Sequence, residues 1–211
     1  MTHFSLGKQR DFFDIRNAAL ATQIMNTHRM STVYYLPGYG GQLGKGLGIA
    51  LSERGYDVYG RETRGDFKEL TFQQKLDAIS DDIQTHFWRE DARVIANSFG
   101  AYLFLHAQAQ MPPFIGRLLL LSPIVGDFNT EDASVGFVPP RAEVLLALSQ
   151  TKRFPRPSNV EIHVGTDDWQ SNPINVHAFA DPMSINVTLV HGRGHDLGKD
   201  YVGPLLDAWL T

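Results

Sequence analysis

The chain alternates between short apolar runs and longer segments with helical spacing, and this alternation restricts its fold more than any other feature. Each run is rich in β-branched, aromatic or leucine side chains and ends in glycine, proline or a polar turn. The runs cover residues 33–36, 57–60, 93–97, 117–121, 160–164 and 186–190. Runs that are apolar on both faces suit a parallel sheet covered by helices on both sides. The pattern predicts a three-layer α/β domain with a mostly parallel sheet of about six strands.

The segments between these runs predict helices over residues 43–51, 72–87, from 99 to just before 112, and 204–210. Two segments fall outside the repeat. Residues from about 11 to 25 have helical spacing before the first strand, and residues 126–157 form a long, lid-like insertion between the fourth and fifth strands. A chain of 211 residues is expected to form a single domain over 1–211.

Composition narrows the classes of function. The net charge is −4 and no basic run is present, which argues against nucleic acid or an anionic membrane surface as a partner. The chain has no cysteine, so a thiol nucleophile, a thiolate metal site and a disulfide framework are excluded. Charged residues interrupt the N-terminal segment, and no apolar run approaches the roughly 18 to 20 residues that span a bilayer. We therefore expect a cytoplasmic protein.

The third run leads directly into ANSFG at 96–100, which is one residue away from the G-x-S-x-G pattern. A strand, a tight turn and a helix N-terminus would expose the Ser98 hydroxyl and direct the backbone N–H of Phe99 into the same space. Ala96 stands where the pattern has its first glycine, which adds one methyl group. The stretch predicts a nucleophile elbow at Ser98.

An acid and a histidine follow later strands. Asp167 and Asp168 come after the fifth run, and His195 comes after the sixth. Because the carboxyl ends of parallel strands meet at one edge of a sheet, these side chains are expected near Ser98. A neutral imidazole can take the serine proton, and a carboxylate can orient the imidazole and stabilise its charged form.

The first run is followed by LPGYGG at 36–41. A glycine-rich loop at Gly38 can direct a backbone N–H, that of Tyr39, toward a developing oxyanion opposite the N–H of Phe99. One such donor is typically worth about 2.7 to 4 kcal/mol of transition-state stabilisation.

Together these motifs resemble those of the α/β-hydrolase superfamily, in particular its small, compact serine hydrolases, over most of the chain from about residue 32 to 210. The matching stretches are LPGYGG at 36–41, RGD at 64–66, ANSFG at 96–100, GTDD at 165–168 and GRGH at 192–195. The chain departs from the usual pattern at Ala96, at Pro37, where many members have histidine, and in its helical N-terminal segment.

The resemblance implies the α/β-hydrolase fold and hydrolysis of a small carboxylic ester or thioester without cofactor or metal. It selects Asp168 as the acid, because the acid usually stands three residues after the glycine, beside Ser98 as nucleophile and His195 as base. Apolar residues in or beside the insertion and the acid loop are candidates to line an acyl pocket: Phe128, Phe137, Val138 and Trp169.

Several alternatives stay open. Asp127, after the fourth run, is a rival acid and His191 a rival base. The glycines at 38, 40 and 44, with Glu62 as a ribose-binding acid, also fit an NAD(P)-binding Rossmann-type oxidoreductase. A hydrolase-fold protein that only binds a ligand is a further possibility. The glycine loop lacks the lysine followed by serine or threonine of a P-loop, and glycines at 192 and 194 argue against a helical His191–His195 metal site.

Overall fold

The computed structural model describes residues 32–126 and 141–211. Its six strands are all parallel and form one sheet in the order β2-β1-β3-β4-β5-β6. The strands are β1 (Thr32–Leu36), β2 (Asp57–Gly60), β3 (Arg93–Asn97), β4 (Arg117–Leu121), β5 (Asn159–Gly165) and β6 (Asn186–Val190). The predicted parallel sheet of six strands is confirmed, with strand ends that differ from the apolar runs by at most one residue.

Seven α-helices are seen in the described residues. They are α1 (Leu47–Ser52), α2 (Gly65–Glu69), α3 (Phe72–Asp82), α4 (Phe99–Gln108), α5 (Ala142–Gln150), α6 (Pro173–Ala180) and α7 (Lys199–Trp209). A π-helical turn, Ile83–Phe87, extends α3, and a 3₁₀ turn, Asp181–Met183, follows α6.

The sequence pattern did not predict the short α2 or α6, and it placed the start of α7 too late. Helix α6 begins with proline at its first position, where the missing N–H costs no intrahelical hydrogen bond, and the Asn172 side chain accepts the N–H of Ile174 at 2.9 Å. Helix α7 begins at Lys199, five residues before the predicted start at Pro204, and continues through this proline.

Alternate residues of each strand face two separate apolar clusters. On β3, Val94 and Ala96 face the cluster that includes residues of α3 to α6, whereas Ile95 faces the cluster with α1 and α7. Both faces of the sheet are therefore covered, as the uninterrupted apolar runs require. The predicted three-layer arrangement is confirmed.

The order of the strands determines where a ligand crevice can form. Strands β1 and β3 are neighbours, but β1 leads into α1 on one face and β3 leads into α4 on the other. At such a switch point the two connections diverge and leave a crevice at the carboxyl ends of the strands. The glycine loop and Ser98 lie there. The order also differs from the 3-2-1-4-5-6 order of the dinucleotide-binding Rossmann fold.

Two predicted features lie wholly or partly outside the described residues. The helix at about 11–25 is outside them, as is the 127–140 part of the insertion, whereas α5 is the described part of that insertion. None of the helices within 32–126 and 141–211 has the length and apolar character needed to cross a membrane.

Candidate active site

Ser98 occupies a sharp turn between β3 and α4. Its backbone angles are φ 52° and ψ −121°, a region that non-glycine residues rarely adopt and that stores of order 1 to 3 kcal/mol of strain. The Ser98 N–H donates to the carbonyl of Leu121 on β4 at 2.9 Å, which helps to hold the turn. This backbone is the one expected of a nucleophile elbow.

The two small residues that flank Ser98 have different roles. A Cβ at Gly100 would overlap the backbone carbonyls of Leu36 and Pro37, because α4 crosses closely over the end of β1. Ala96 is fully buried in the apolar cluster beneath α4, so its methyl group belongs to the core. The elbow therefore needs glycine after the serine and forms with alanine before it.

Three of the predicted side chains meet in a chain of hydrogen bonds. The Ser98 Oγ lies 2.6 Å from Nε2 of His195, and Nδ1 of His195 lies 3.0 Å from each carboxylate oxygen of Asp168. The Asp168 side chain is fully buried, and its Oδ1 also accepts the backbone N–H groups of Gln170 at 3.0 Å and Ser171 at 2.8 Å. A buried carboxylate with these donors can hold the imidazole in one orientation.

The acid loop after β5 and the histidine loop after β6 are held directly against each other. A Cβ at Gly165 would overlap the backbone carbonyls of Arg193 and Gly194, so only glycine permits this approach. The Asp167 N–H donates to the Arg193 carbonyl at 2.9 Å, and the Gly192 N–H donates to Oγ1 of Thr166 at 3.0 Å. These contacts determine where His195 stands relative to Asp168.

The glycine loop is tied to the residue before Ser98. The Asn97 Oδ1 accepts the Gly38 N–H at 3.2 Å and the Tyr35 hydroxyl at 2.9 Å. Burial raises the pKa of Tyr35, so its phenol remains protonated and can donate. A Cβ at Gly38 would stand 3.3 Å from Cβ of Ser98, so the loop passes directly beside the elbow.

Thr63 holds the other side of the same loop. Its buried hydroxyl donates to the Gly38 carbonyl, which also accepts the Gly41 N–H at 2.9 Å. The same Gly41 N–H approaches Thr63 Oγ1 at 2.9 Å. Because a trans peptide places its carbonyl and N–H on opposite sides, this arrangement turns the Tyr39 N–H away from Thr63.

A cavity of about 870 Å³ opens at the carboxyl edge of the sheet and includes Gly38, Tyr39, Ser98 and His195 in its wall. Ser122, which follows β4, also lines it. The Ser122 backbone has φ 44°, and its buried Oγ has no hydrogen-bond partner within the described part of the chain.

The other predicted residues are placed as follows. Asp167 is exposed and accepts the Thr166 hydroxyl at 3.1 Å, and the carboxylate next to His195 is that of Asp168. His191 is exposed, whereas the imidazole next to Ser98 is that of His195. Trp169 is 38% exposed, and Gln170, beside it in the chain, lines the cavity.

The remaining candidates, Asp127, Phe128, Phe137 and Val138, lie outside the described residues. The backbone of Phe99 begins α4 immediately after Ser98, as predicted. Over 32–126 and 141–211, no group of three histidine, aspartate or glutamate side chains is arranged to hold a metal ion.

Sequence reasoning missed Asn97, Thr63 and Ser122. Asn97 could have been found, because it lies inside the ANSFG stretch at 96–100 and is a polar residue at the end of an apolar strand. Thr63 and Ser122 carry no such signal. Their importance depends on which carbonyl or cavity they meet, and that follows only from the packing of β2 and β4 against their neighbours.

These observations define an α/β protein in which a serine, a histidine and an aspartate meet at the carboxyl edge of a parallel sheet. Comparison with solved structures shows that the chain has the α/β-hydrolase fold. No protein-family model matches the chain, and no curated protein matches it either.

Three solved structures illustrate the similarity. A monoacylglycerol lipase from Paleococcus ferrophilus is 14% identical with a TM-score of 0.60, over 85% of this chain and 93% of that one. The α/β hydrolase domain-containing protein 10 from mouse is 16% identical with a TM-score of 0.63, over 84% and 87% of the two chains. A carboxylesterase structure from Nitrososphaera gargenis is 12% identical with a TM-score of 0.56, over 86% and 90%.

Proposed function

We propose that this chain is a serine hydrolase that cleaves a small carboxylic ester or thioester through an acyl-enzyme. The observation that carries the proposal is the continuous chain of hydrogen bonds from Ser98 through His195 to Asp168. The names of the solved structures, a lipase and a carboxylesterase among them, agree with this class of reaction.

In the first half of the reaction, Ser98 Oγ attacks the carbonyl carbon while Nε2 of His195 takes the hydroxyl proton. The carbonyl oxygen becomes an oxyanion, and the backbone N–H groups of Tyr39 and Phe99 stabilise it. Asp168 stabilises the imidazolium that forms. The bond to the leaving group then breaks, and the imidazolium returns its proton to the departing oxygen or sulfur.

In the second half, a water molecule attacks the acyl-enzyme. His195 takes a proton from this water, and a second tetrahedral intermediate forms in the same oxyanion site. Its collapse releases the carboxylic acid and returns the proton to Ser98. Neither half requires a metal or cofactor, because the imidazole moves every proton.

The proposal is tested with a fluorophosphonate probe and p-nitrophenyl esters. We expect the wild-type chain to be labelled and to hydrolyse at least one ester, and Ser98→Ala to lose the label and at least a thousandfold in kcat. Labelling that is equal in both proteins, or no turnover of any ester, would contradict the proposal and leave a ligand-binding protein with a hydrolase fold.

The acid is tested with a matched pair of neighbouring substitutions. We expect Asp168→Asn to lower kcat by several orders of magnitude, because an amide favours the wrong tautomer of His195. Asp167→Asn is the control, since the Asp167 carboxylate is exposed and accepts the hydroxyl of the neighbouring Thr166. Equal losses in the two variants would count against Asp168 as the acid.

A further inference from the structure

The cavity at Ser98 continues away from the three polar side chains into a groove between α1 and α7. The α1 side contributes Leu47, Ile49 and Ala50, followed just beyond the helix by Glu53 and Arg54. The α7 side contributes Lys199, Val202, Gly203 and Leu206 at spacings of three and four residues. Helix α7 therefore presents one stripe to the groove.

Small side chains keep the groove open. Neighbouring helices normally interdigitate their side chains, but here Ala50 and Gly203 stand in the two sides of the groove. The space beside Gly203 is open: a Cβ added there would meet one heavy atom within 4 Å, Nη2 of Arg54 at 3.8 Å. Leu121 and Leu206, both buried, line the same cavity, so part of its wall is apolar.

Arg54 closes the far end of the groove. Its Nη1 donates to the Ala50 carbonyl at 2.8 Å and its Nη2 donates to the Gly203 carbonyl at 3.1 Å. Its Nε donates to Asp207 Oδ1 at 2.7 Å, which neutralises the guanidinium. A side chain that bridges both helices and has its charge paired makes an end wall for a hydrocarbon.

We propose that this groove binds the acyl chain of the substrate as an unbranched hydrocarbon, and that Arg54 sets its maximum length. The assignment deepens the proposed function and rests on Ser98 as the acylated residue. From Leu47 to Arg54 the chain advances about 10 Å at roughly 1.5 Å per residue. The groove is therefore long enough for an extended hydrocarbon of medium length.

The test measures binding, so that it does not depend on hydrolysis. Methyl esters of unbranched acids from hexanoic to dodecanoic are titrated calorimetrically into the Ser98→Ala variant. Each methylene buried in the groove should tighten binding about fourfold, until the chain reaches Arg54. We expect affinity to level off or fall at the chain length that reaches Arg54, within the range of esters tested.

Two further substitutions in the same background should move this limit in opposite directions. Arg54→Ala removes the end wall, and we expect the longest well-bound chain to grow by two to four carbons. Gly203→Leu fills the far end and should shorten it by about two carbons, while a better helix former at this position favours folding. Melting temperatures establish that each variant is folded. Arg156→Ala, outside the groove, is the matched control.

The proposal would be overturned if the longest well-bound chain were the same in Ser98→Ala alone and in Ser98→Ala combined with either groove substitution. It would also be overturned by tighter binding of an octanoate methyl ester that carries a terminal carboxylate, since Arg54 would then receive an anion. Chain-length dependence without any turnover by the wild-type protein would retain the groove and refute the serine hydrolase. Turnover by the wild-type protein without any dependence of binding on chain length would retain the serine hydrolase and refute the groove.

Discussion

At the scale of single residues, the Thr63 hydroxyl holds the loop beside Ser98 by donating to the Gly38 carbonyl, whereas three other polar side chains of the site each follow a strand. Ser98, Asp168 and His195 each stand just after an apolar run, so their convergence at one edge follows from a parallel sheet. Thr63 could not be found in this way. Its role depends on a hydrogen bond to the Gly38 carbonyl, and no pattern in the sequence indicates which carbonyl a hydroxyl will meet.

Thr63 should act as a positioning residue for the oxyanion site. We expect Thr63→Val to lower kcat roughly tenfold to a hundredfold with little change in KM, because the Gly38–Tyr39 peptide loses the donor that orients it. This loss is smaller than the cost of deleting an oxyanion donor outright. Steady-state kinetics on a p-nitrophenyl ester provide the measurement.

Thr63→Ser is the matched control for that substitution, because it retains the hydroxyl and removes one methyl group. It should recover most of the lost kcat. A parallel fall in kcat for Thr63→Val and Thr63→Ser, or a change confined to KM, would show that the hydroxyl does not orient the loop.

At the scale of elements, strands were predicted more closely than helices. A buried parallel strand must be apolar on both faces, so its ends are visible as changes in composition. Helices depend on local signals that compete with one another. Pro173 and Pro182 interrupt the pattern around α6, yet Pro173 is acceptable at the first helical position and Pro182 lies beyond the last turn of the helix.

The elbow gives a test at this scale, since its two small residues are not equivalent. Gly100→Ala should destabilise the chain by several kcal/mol, because a Cβ there overlaps the backbone at the end of β1. Ala96→Gly should cost about 1 kcal/mol through backbone entropy and keep kcat within a few-fold of wild type. Denaturant unfolding and ester hydrolysis measure the two effects.

A similar loss of stability in both variants would contradict the close crossing of α4 over β1. Alanine at position 101, next in the helix and fully buried, offers a further control: Ala101→Gly probes helix entropy and packing without any new atom at the crossing.

At the scale of the whole molecule, the apolar cluster that covers one face of the sheet encloses a titratable group. His106 on α4 packs edge-on against Tyr102 and Phe72, with ring centroids 4.6 and 5.2 Å away. Burial, and to a smaller extent the positive charge of Arg141, lower the pKa of His106 to about 4. The folded chain therefore keeps this imidazole neutral.

The stability of the chain should fall in mild acid. In the unfolded chain His106 has a pKa near 6.5, so between about pH 6.5 and 4 the unfolded state binds a proton that the folded state does not. We expect His106 alone to reduce the free energy of unfolding by about 1 to 3 kcal/mol across this range. Urea unfolding at a series of pH values measures the change.

His106→Gln should make the stability less dependent on pH between 6.5 and 4, because glutamine stays neutral throughout. The control, His86→Gln, changes an exposed histidine of the π-helical turn. A pH dependence that His106→Gln leaves as steep as in wild type would show that burial of this imidazole does not govern acid stability.

The close contact between the loops after β5 and β6 has a consequence for how the chain folds. Ser98 and His195 are separated by 97 positions in the chain. They can meet only after β6 has paired with β5, which brings the Arg193 backbone into contact with Gly165. Closing contacts of such separation is a slow event in folding. In a refolding experiment, helical signal should return before reactivity at Ser98, and the lag between them would report the docking of the last strand.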